Sequence, residues 1–311
     1  MNILVTGACG FIGSNLCESL LEDGHRVTGV DAFTENYSKK LKRLNLATLM
    51  KFPNFEILEH DLLNTKLNPI LDGKDMVFHL AGQPSVHNSW GDDFQTYSNR
   101  NIVLTQSLLR AAVEVQTPKF INSSSSSIYG RVQSTPTIEF DEKLPISPYG
   151  VTKLAGENLV TLFGSEFGLN TVSLRYFTVY GPRQRPDMAF NKLINAGLTG
   201  GRFPLHGNGS QIRDFTFVGD VVDANKLVAF SDVNPGSVFN IGGGSPISMS
   251  KVIGVIEEIL SLRIDIEAAP LGPGNPMVTT ADCSAVEKAV GWKPKVEIHD
   301  GLKAQIEWQS K

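Results

Sequence analysis

Short apolar runs alternate with amphipathic stretches through the first half of the chain. Apolar runs of five to seven residues predict strands at 2–6, 26–30, 55–59, 75–81, 119–124 and 171–177. Between the first two, apolar residues recur every four positions from Ile12 to Leu20, and Gly24 ends this helical pattern. Longer helices are predicted over 94–114 and 148–167. Strands that are apolar on both faces and alternate with helices predict a Rossmann-type α/β fold with a doubly wound parallel sheet.

The pattern changes near residue 180, where glycine and proline become more frequent and the elements shorter. Helices are predicted near 188–199, 219–230, 248–260, 282–290 and 300–309, and strands near 212–217, 237–241 and 264–268. We therefore place a first domain at 1–178 and a smaller C-terminal α/β lobe at 179–311, with the chain free to cross between them.

Composition narrows the class of protein. The chain has 311 residues, 41% hydrophobic and 19% charged, with a net charge of −4 and no long basic run, which argues against nucleic acid as a partner. No apolar run reaches the ~18 residues that a membrane span needs, and MNILVTG lacks the features of a signal peptide. The three cysteines lack metal-ligand spacing, so we expect free thiols, a cytoplasmic location and no metal site.

A glycine-rich turn joins the first strand to the first helix. Gly7, Gly10 and Gly13 let the backbone approach a pyrophosphate, whose charge the helix N-terminus stabilises. Asp31 ends the second strand, at about the offset where a carboxylate meets the adenosine ribose hydroxyls. The same carboxylate would repel a 2′-phosphate, and the two residues after it supply no cation. The turn therefore predicts NAD rather than NADP.

Two further strand ends contribute to this prediction. Asp61 follows the third strand and either bonds the adenine amino group or caps the next turn before Leu62. His79 lies in an apolar strand and is predicted to be a satisfied core histidine. The small corner at 80–82 allows a cofactor to lie against the backbone.

Tyr149 and Lys153 begin the helix 148–167 and share one face of it. A tyrosine with a pKa of ~10 is a poor base at neutral pH, but a neighbouring ammonium and an oxidised nicotinamide would both favour the phenolate. The serine run 123–127 ends an apolar strand and faces the same crevice, where a hydroxyl can hold a substrate oxygen beside the tyrosine.

These segments resemble those of the NAD-dependent epimerase/dehydratase family of extended short-chain dehydrogenases/reductases, from residue 2 to about 308. The matching segments are TGACGFIGSNL, Asp31, HLAGQ, SSSSSIYG, YGVTK, LRYFTVYGPRQRPDM, GNGSQIRDFTFVGD, NIGGG and ADCSAVEKAVGWKP.

The resemblance implies a role for each matched position. Tyr149 is then the catalytic base and acid, Lys153 its tuning partner, and Ser125 the family's Ser/Thr, with Ser126 and Ser127 as further candidates. The implied NAD-binding residues are Gly7, Gly10, Phe11, Ile12, Gly13, Asp31, Asp61, Leu62, Leu80, Ala81, Gly82, Gln83, Tyr149, Lys153 and Tyr176. The implied substrate-binding residues are Thr178, Arg185, Gln211 and Arg213, the last holding the nucleotide diphosphate of a UDP-sugar.

The residues after Ser125 bear on the reaction. Dehydratases and decarboxylases of the family carry acidic residues here, whereas Ser126 and Ser127 offer no carboxyl group for water elimination. What remains is transient oxidation of the sugar at C4 and return of the hydride to its other face. The resemblance thus implies a nucleotide-sugar 4-epimerase that keeps its NAD tightly bound.

The segment TVYGPRQRPDMA resembles that of UDP-glucuronate 4-epimerases, with Thr178 where glucose-type epimerases commonly have Asn. Arg185 would pair with the C5 carboxylate by charge-assisted hydrogen bonds, and Thr178 would add a hydroxyl. Arg183 is expected to be solvated or to lie on the phosphate side. Asn275 departs from the family's Pro-Gly-Asp pattern and leaves the nucleotide contacts there open.

Other functions stay open at this point. They are a UDP-glucose or UDP-N-acetylglucosamine 4-epimerase, a UDP-glucuronate decarboxylase, and a non-enzymatic NAD-binding sensor, which would not need Tyr149, Lys153 and a nearby hydroxyl together. Relatives in the family often form dimers. We therefore expect a homodimer that pairs the helices 94–114 and 148–167.

Overall fold

The computed structural model describes residues 1–132 and 135–311. Its strands are β1 (Asn2–Thr6), β2 (Arg26–Val30), β3 (Phe55–Leu58), β4 (Met76–His79), β5 (Phe120–Ser125), β6 (Thr171–Tyr176), β7 (Thr178–Tyr180), β8 (Arg202–His206), β9 (Ile212–Arg213), β10 (Phe215–Phe217), β11 (Ser237–Ile241), β12 (Ile247–Ser248), β13 (Asp265–Ala269) and β14 (Val278–Thr279). Its α-helices are α1 (Phe11–Glu22), α2 (Lys39–Leu49), α3 (Asn68–Leu71), α4 (Phe94–Ser98), α5 (Leu104–Glu114), α6 (Pro148–Phe167), α7 (Ala189–Thr199), α8 (Val218–Phe230), α9 (Met249–Leu260), α10 (Ser284–Val290) and α11 (Ile298–Gln309).

A seven-stranded parallel sheet forms the centre of the molecule, in the order β11-β6-β5-β4-β1-β2-β3. From β1 the chain builds outward through β2 and β3, then returns to the other side of β1 with β4. The order reverses there, and ligands of such sheets bind in the crevice beyond the carboxyl ends of the strands. The predicted doubly wound Rossmann-type fold is confirmed.

Both faces of the sheet are buried. Ile3 and Val5 of β1 belong to the core beneath α1 and α8, whereas Leu4 belongs to the core beneath α5 and α6. This alternation follows from the two-residue repeat of a strand. It explains why β1 is a continuous apolar run in the sequence.

The second half of the chain contributes to the large sheet and also forms a set of small sheets of its own. Its strand β11 joins the edge of the large sheet beside β6, and α8 packs against α1. The rest forms small sheets, β7 with β10, β8 with β13, and β12-β9-β14, whose core includes residues of α7, α9 and α11. The domain boundary at 178 stays a prediction, and the chain does cross back as that prediction allowed.

Two predicted elements differ in detail from the structure. The helix predicted over 94–114 consists of α4, a π-helical segment (Asn99–Val103) and α5. The strand predicted over 212–217 is divided into β9 and β10 at Asp214, whose buried carboxylate accepts bonds from the backbone of Gly243 and Ala281. No helix among the described residues is long and apolar enough to cross a membrane.

Candidate active site

A cavity of about 420 Å³ lies at the carboxyl ends of β1, β4, β5 and β6. All the predicted site residues line it except Asp61, Gln211 and Arg213. The sheet topology explains this convergence, because parallel strands end at one edge and their following loops meet there.

The glycine turn forms one wall of the cavity. Gly7 has φ +70°, and a Cβ there would lie 2.9 Å from the Ala81 nitrogen. A Cβ on Gly13 would lie 2.1 Å from the Gly7 carbonyl oxygen, so the first turn of α1 packs directly on the end of β1. No side chain caps α1, and its first N–H groups therefore face the cavity without intrahelical partners. This cradle fits the pyrophosphate of a dinucleotide.

Asp31 is buried beside the turn. Its Oδ2 accepts a hydrogen bond from the Cys9 nitrogen at 3.1 Å, and its Oδ1 accepts one from the Phe33 nitrogen at 2.8 Å. Lys42 of α2 also donates to Oδ1, at 3.2 Å. The expectation that no cation accompanies Asp31 considered only the two residues that follow it, whereas the fold supplies Lys42 from the next helix.

His79 is a core histidine, as expected. Its Nδ1 and Nε2 lie 2.9 Å and 3.0 Å from the hydroxyls of Thr6 and Thr105. Burial lowers its pKa to about 3, so the ring stays neutral. The Thr6 hydroxyl also accepts a hydrogen bond from the Ala81 nitrogen at 3.0 Å. This series of hydrogen bonds fixes the corner at 80–82, against which a cofactor would lie.

Tyr149 and Lys153 lie one turn apart in α6, which Ser147 begins by accepting a bond from the Gly150 nitrogen. Burial raises the pKa of Tyr149, while a hydrogen bond with Ser125 and the charge of Arg185 act in the opposite direction. Burial lowers the pKa of Lys153 to about 8. Lys153 donates to the carbonyl oxygen of Ser123, which ties the helix to the end of β5.

The three candidate serines follow one another at the end of β5. The side chain of Ser125 is hydrogen-bonded to that of Tyr149, and its Oγ accepts a hydrogen bond from the Ser127 nitrogen at 3.1 Å. Ser126 and Ser127 begin a short 3₁₀ helix and line both the main cavity and a smaller one. Ser125 is therefore the serine that the structure joins to the tyrosine.

The two arginines of the 178–190 segment have different surroundings. Arg185 lines the cavity and forms a bidentate pair with Asp187, with two bonds of 2.9 Å from Nε and Nη2. Arg183 pairs with Glu18 of α1 at 2.5 Å, and its side chain is only 11% exposed. Arg183 thus joins this segment to α1 rather than being solvated, which corrects the expectation for it.

A second cavity of about 210 Å³ adjoins the first and shares Ser126, Ser127 and Thr178 with it. Arg213 and Asn275 line this second cavity. Burial lowers the pKa of Arg213, whose Nη1 donates to the carbonyl oxygen of Ile212 at 2.9 Å. A cation here lies on the side of the site that faces away from the glycine turn.

Residues 3–242 match the model of the NAD dependent epimerase/dehydratase family. The chain belongs to this family. The resemblance found in the motifs is therefore confirmed.

Its relatives in the epimerase/dehydratase family match along the whole chain. The chain is 41% identical to the uncharacterized UDP-glucose epimerase YtcB of Bacillus subtilis (strain 168), which covers 100% of this chain and 98% of that protein. It is 35% identical to the UDP-glucuronate 4-epimerase of Thermodesulfobacterium geofontis (strain OPF15), over 98% of this chain and 95% of that protein. The crystal structure of UDP-glucuronic acid 4-epimerase from Bacillus cereus, in complex with UDP-glucuronic acid and NAD, matches with a TM-score of 0.97 and 41% identity, covering 100% of this chain and 99% of that chain.

Two predicted residues of this epimerase/dehydratase family member lie outside both cavities. The Asp61 carboxylate accepts two bonds from Arg100, at 3.1 and 2.8 Å, and caps the next turn through the Leu63 nitrogen. The Gln211 amide donates to the carbonyl oxygen of His206 at 2.7 Å. These contacts give both side chains partners within the protein, and the roles suggested for them stay predictions.

Sequence reasoning also missed residues in the site. Asn101 lies in the π-helical segment, and its side chain bonds both backbone groups of Gln83, at 2.8 and 3.0 Å, and the Thr152 hydroxyl. Segments of π-helix often mark functional sites, but this one has no proline or glycine to indicate it in the sequence. Asp187, by contrast, lies two residues after Arg185, and this Arg-x-Asp sequence in a turn could have predicted the ion pair.

Proposed function

We propose that this protein is a UDP-glucuronate 4-epimerase, which interconverts UDP-glucuronate and UDP-galacturonate with tightly bound NAD. The observation that carries the proposal is that Arg185 and Tyr149 line the same cavity, where the charge of Arg185 opposes the rise in the pKa of Tyr149 that burial causes. A cation beside the catalytic hydroxyl suits a sugar that carries a carboxylate next to its reacting carbon. The named UDP-glucuronate 4-epimerases among its relatives support the same substrate.

The glycine turn, the open N-terminus of α1 and the buried Asp31 would hold NAD. When bound, NAD supplies the acceptor and then the donor of the C4 hydride. Tyr149 removes the proton of the sugar 4-hydroxyl and later returns it. Lys153, protonated below its pKa of about 8, favours the phenolate form of Tyr149 that this step needs. Ser125, bonded to Tyr149, orients the same sugar oxygen.

The carboxylate of the substrate would meet Arg185 and Thr178. Asp187 already accepts hydrogen bonds from Nε and Nη2 of Arg185, which holds the guanidinium in one orientation and leaves Nη1 to donate to the substrate. Oxidation at C4 makes the sugar a β-keto acid that readily loses carbon dioxide. A fixed carboxylate, held away from the orientation that favours C–C cleavage, would limit this loss until the hydride returns.

The nucleotide would lie in the adjoining cavity. Arg213 there would bind the diphosphate, and the shared residues Ser126, Ser127 and Thr178 would connect it to the reacting sugar. Asn275 lines the same cavity and would contact the nucleotide without adding a charge.

A second candidate is a UDP-glucose or UDP-N-acetylglucosamine 4-epimerase. The Asp187 carboxylate that pairs with Arg185 favours it, because a neutralised arginine does not require an anionic sugar. YtcB, a UDP-glucose epimerase by name, is also among the relatives. UDP-glucuronate decarboxylation is less favoured, since Ser126 and Ser127 carry no carboxyl group, and a non-enzymatic sensor would not need the bonded Tyr149 and Ser125.

We also propose a homodimer. Val151, Ala155 and Leu162 are separated by four and then seven residues, one and two turns of α6, with Val151 and Leu162 about half exposed at 48% and 49%. Val103, 48% exposed, adds to this apolar stripe from the neighbouring helix. Pairing of these helices across a two-fold axis would cover the stripe.

A cytoplasmic location is the expectation for this enzyme. Cys9, Cys17 and Cys283 are all free thiols, as is usual in a reducing compartment. Nucleotide sugars as substrates agree with such a compartment.

The test of function is a substrate panel. The protein, without added cofactor, is incubated separately with UDP-glucuronate, UDP-glucose and UDP-N-acetylglucosamine, and the products are resolved by NMR. We expect UDP-galacturonate from UDP-glucuronate and much slower turnover of the other two. A Tyr149→Phe variant should bind NAD and substrate but lose about 100-fold or more in kcat, as expected for loss of a general base. Faster turnover of UDP-glucose would assign the second candidate instead.

A further inference from the structure

The catalytic face of α6 continues one turn beyond Lys153. Tyr149, Lys153 and Glu157 are spaced four apart, so their side chains lie on one stripe of the helix, with Cβ atoms of neighbours about 5–6 Å apart. Glu157 is only 3% exposed. A buried carboxylate at this position is a large fixed charge beneath the reacting groups.

Glu157 is held from two sides. Arg175 of β6 donates to its Oε2 from Nε at 2.9 Å and to its Oε1 from Nη2 at 2.6 Å. Ser124, from the serine run, donates to Oε2 at 2.6 Å. The hydroxyl of Tyr129 accepts a hydrogen bond from Arg175 Nη1 at 2.6 Å and donates one to Asn240 Oδ1 at 2.7 Å. The pair is therefore rigid and fully bonded.

The serine run is thereby attached to α6 at three successive residues. Ser123 accepts from Lys153 through its carbonyl oxygen, Ser124 donates to Glu157, and Ser125 bonds Tyr149. The two charged contacts in this series come from Lys153 and Glu157, which face each other along the helix. This arrangement fixes the positions of the Lys153 ammonium and the Glu157 carboxylate relative to the end of β5.

We propose that Glu157 is a positioning residue for the reaction proposed above, and that its fixed negative charge keeps Lys153 protonated while its bond to Ser124 aligns the strand end with Tyr149. The inference rests on the proposed function only in naming that reaction. Nothing in the tyrosine, lysine and serine set itself requires a buried carboxylate at this position.

The charges around Lys153 set the direction of the effect. Burial lowers the pKa of Lys153 to about 8, and the charge of Glu157 opposes that change. From β4, His79 faces Lys153 but stays neutral; Tyr149 and the Ser123 carbonyl complete its surroundings. Without the carboxylate, Lys153 would lose its proton at a lower pH, and the ammonium that favours the phenolate would be lost nearer neutrality.

The experiment is the pH dependence of kcat for NAD-loaded wild type, Glu157→Gln and the double variant Glu157→Gln/Arg175→Gln, which leaves neither buried charge unpaired and so protects folding. The alkaline limb should move down by about 1 pH unit in Glu157→Gln and by less in the double variant, which also loses the positive charge of Arg175. Such a shift lowers kcat about fivefold at pH 8 and leaves it nearly unchanged at pH 6. Glu166→Gln, an exposed glutamate on the same helix, is the matched control and should leave the profile in place.

A uniform loss of kcat at every pH, with the limb unmoved in Glu157→Gln, would show that Glu157 is structural only and would overturn the proposal. If the wild type turns over no UDP-sugar, the proposed function fails separately. NMR titration of the Lys153 side chain in the NAD-loaded proteins, assigned with a Lys153→Met variant, then tests Glu157 alone. Lys153 should lose its proton at a lower pH in Glu157→Gln than in the wild type, and an unchanged lysine titration would again overturn the proposal.

Discussion

At the scale of single residues, the site depends on charges that lie in pairs. Arg185 pairs with Asp187, Asp31 with Lys42, and Glu157 with Arg175. The sequence identified Asp31 and Arg185 because each belongs to a local motif. It could not identify Lys42 as a partner, because the pairing depends on where α2 packs, eleven residues after Asp31.

Arg185 is the residue on which we propose that sugar specificity depends. Arg185→Ala should raise the KM for UDP-glucuronate by about 10- to 100-fold, because one charge-assisted contact is lost and Asp187 is left to repel the carboxylate. Initial rates with UDP-glucose should change by less than about threefold.

Arg183→Ala, in the same loop, is the control. Its partner is Glu18, so it should lower thermal stability without changing the preference between the two sugars. Equal losses for UDP-glucuronate and UDP-glucose in Arg185→Ala would exclude the carboxylate role.

At the scale of elements, predictions held where local signals and tertiary packing agree. The helix α6 has the predicted bounds 148–167, and in the structure Pro148 lies in its first turn and Gly168, with φ +67°, ends it. The short strands β9, β12 and β14 have two residues each and no periodicity to detect, so their sheet was not predicted. The π-helical turn before α5 leaves the apolar repeat nearly unchanged and was read as ordinary helix.

The contact between α1 and β1 offers a test with a matched pair of helical glycines. Gly13→Ala should lower the free energy of unfolding by about 1–3 kcal/mol and weaken NAD binding, because its Cβ would lie 2.1 Å from the Gly7 carbonyl. Gly254→Ala in α9 meets nothing within 4 Å and should stabilise by about 0.5–1 kcal/mol. Thermal unfolding and NAD titration measure both, and a Gly13→Ala protein with wild-type NAD affinity would contradict the close packing.

At the scale of the whole molecule, the chain crosses between its two parts more than once. The strand β11 completes the large sheet, and Thr137 lies beside Ala281 in a bridge that draws a loop after β5 toward the C-terminal segment. These long-range pairings place Arg213 beside the serine cluster. Sequence patterns indicated the elements but not these pairings, which depend on the packing of distant segments.

The apolar stripe on α6 predicts a consequence for assembly. Leu162→Glu should shift a homodimer toward monomer, because the charge would be buried against its symmetry mate. Leu44→Glu, on α2 and 57% exposed, places the same charge on another face and should leave the mass unchanged. Analytical ultracentrifugation measures the mass of the assembly for both variants. A Leu162→Glu protein with the wild-type mass would show that the interface does not include this stripe.

The most direct test follows a single hydrogen. UDP-glucuronate carrying deuterium at C4 is incubated with the protein as purified, in ordinary water and without added NAD, and the product is examined by NMR. Hydride transfer within one cavity, with Tyr149 handling only the hydroxyl proton, predicts UDP-galacturonate that retains the deuterium at C4. Product that has exchanged this label with water, or no UDP-galacturonate at all, would contradict the proposed reaction.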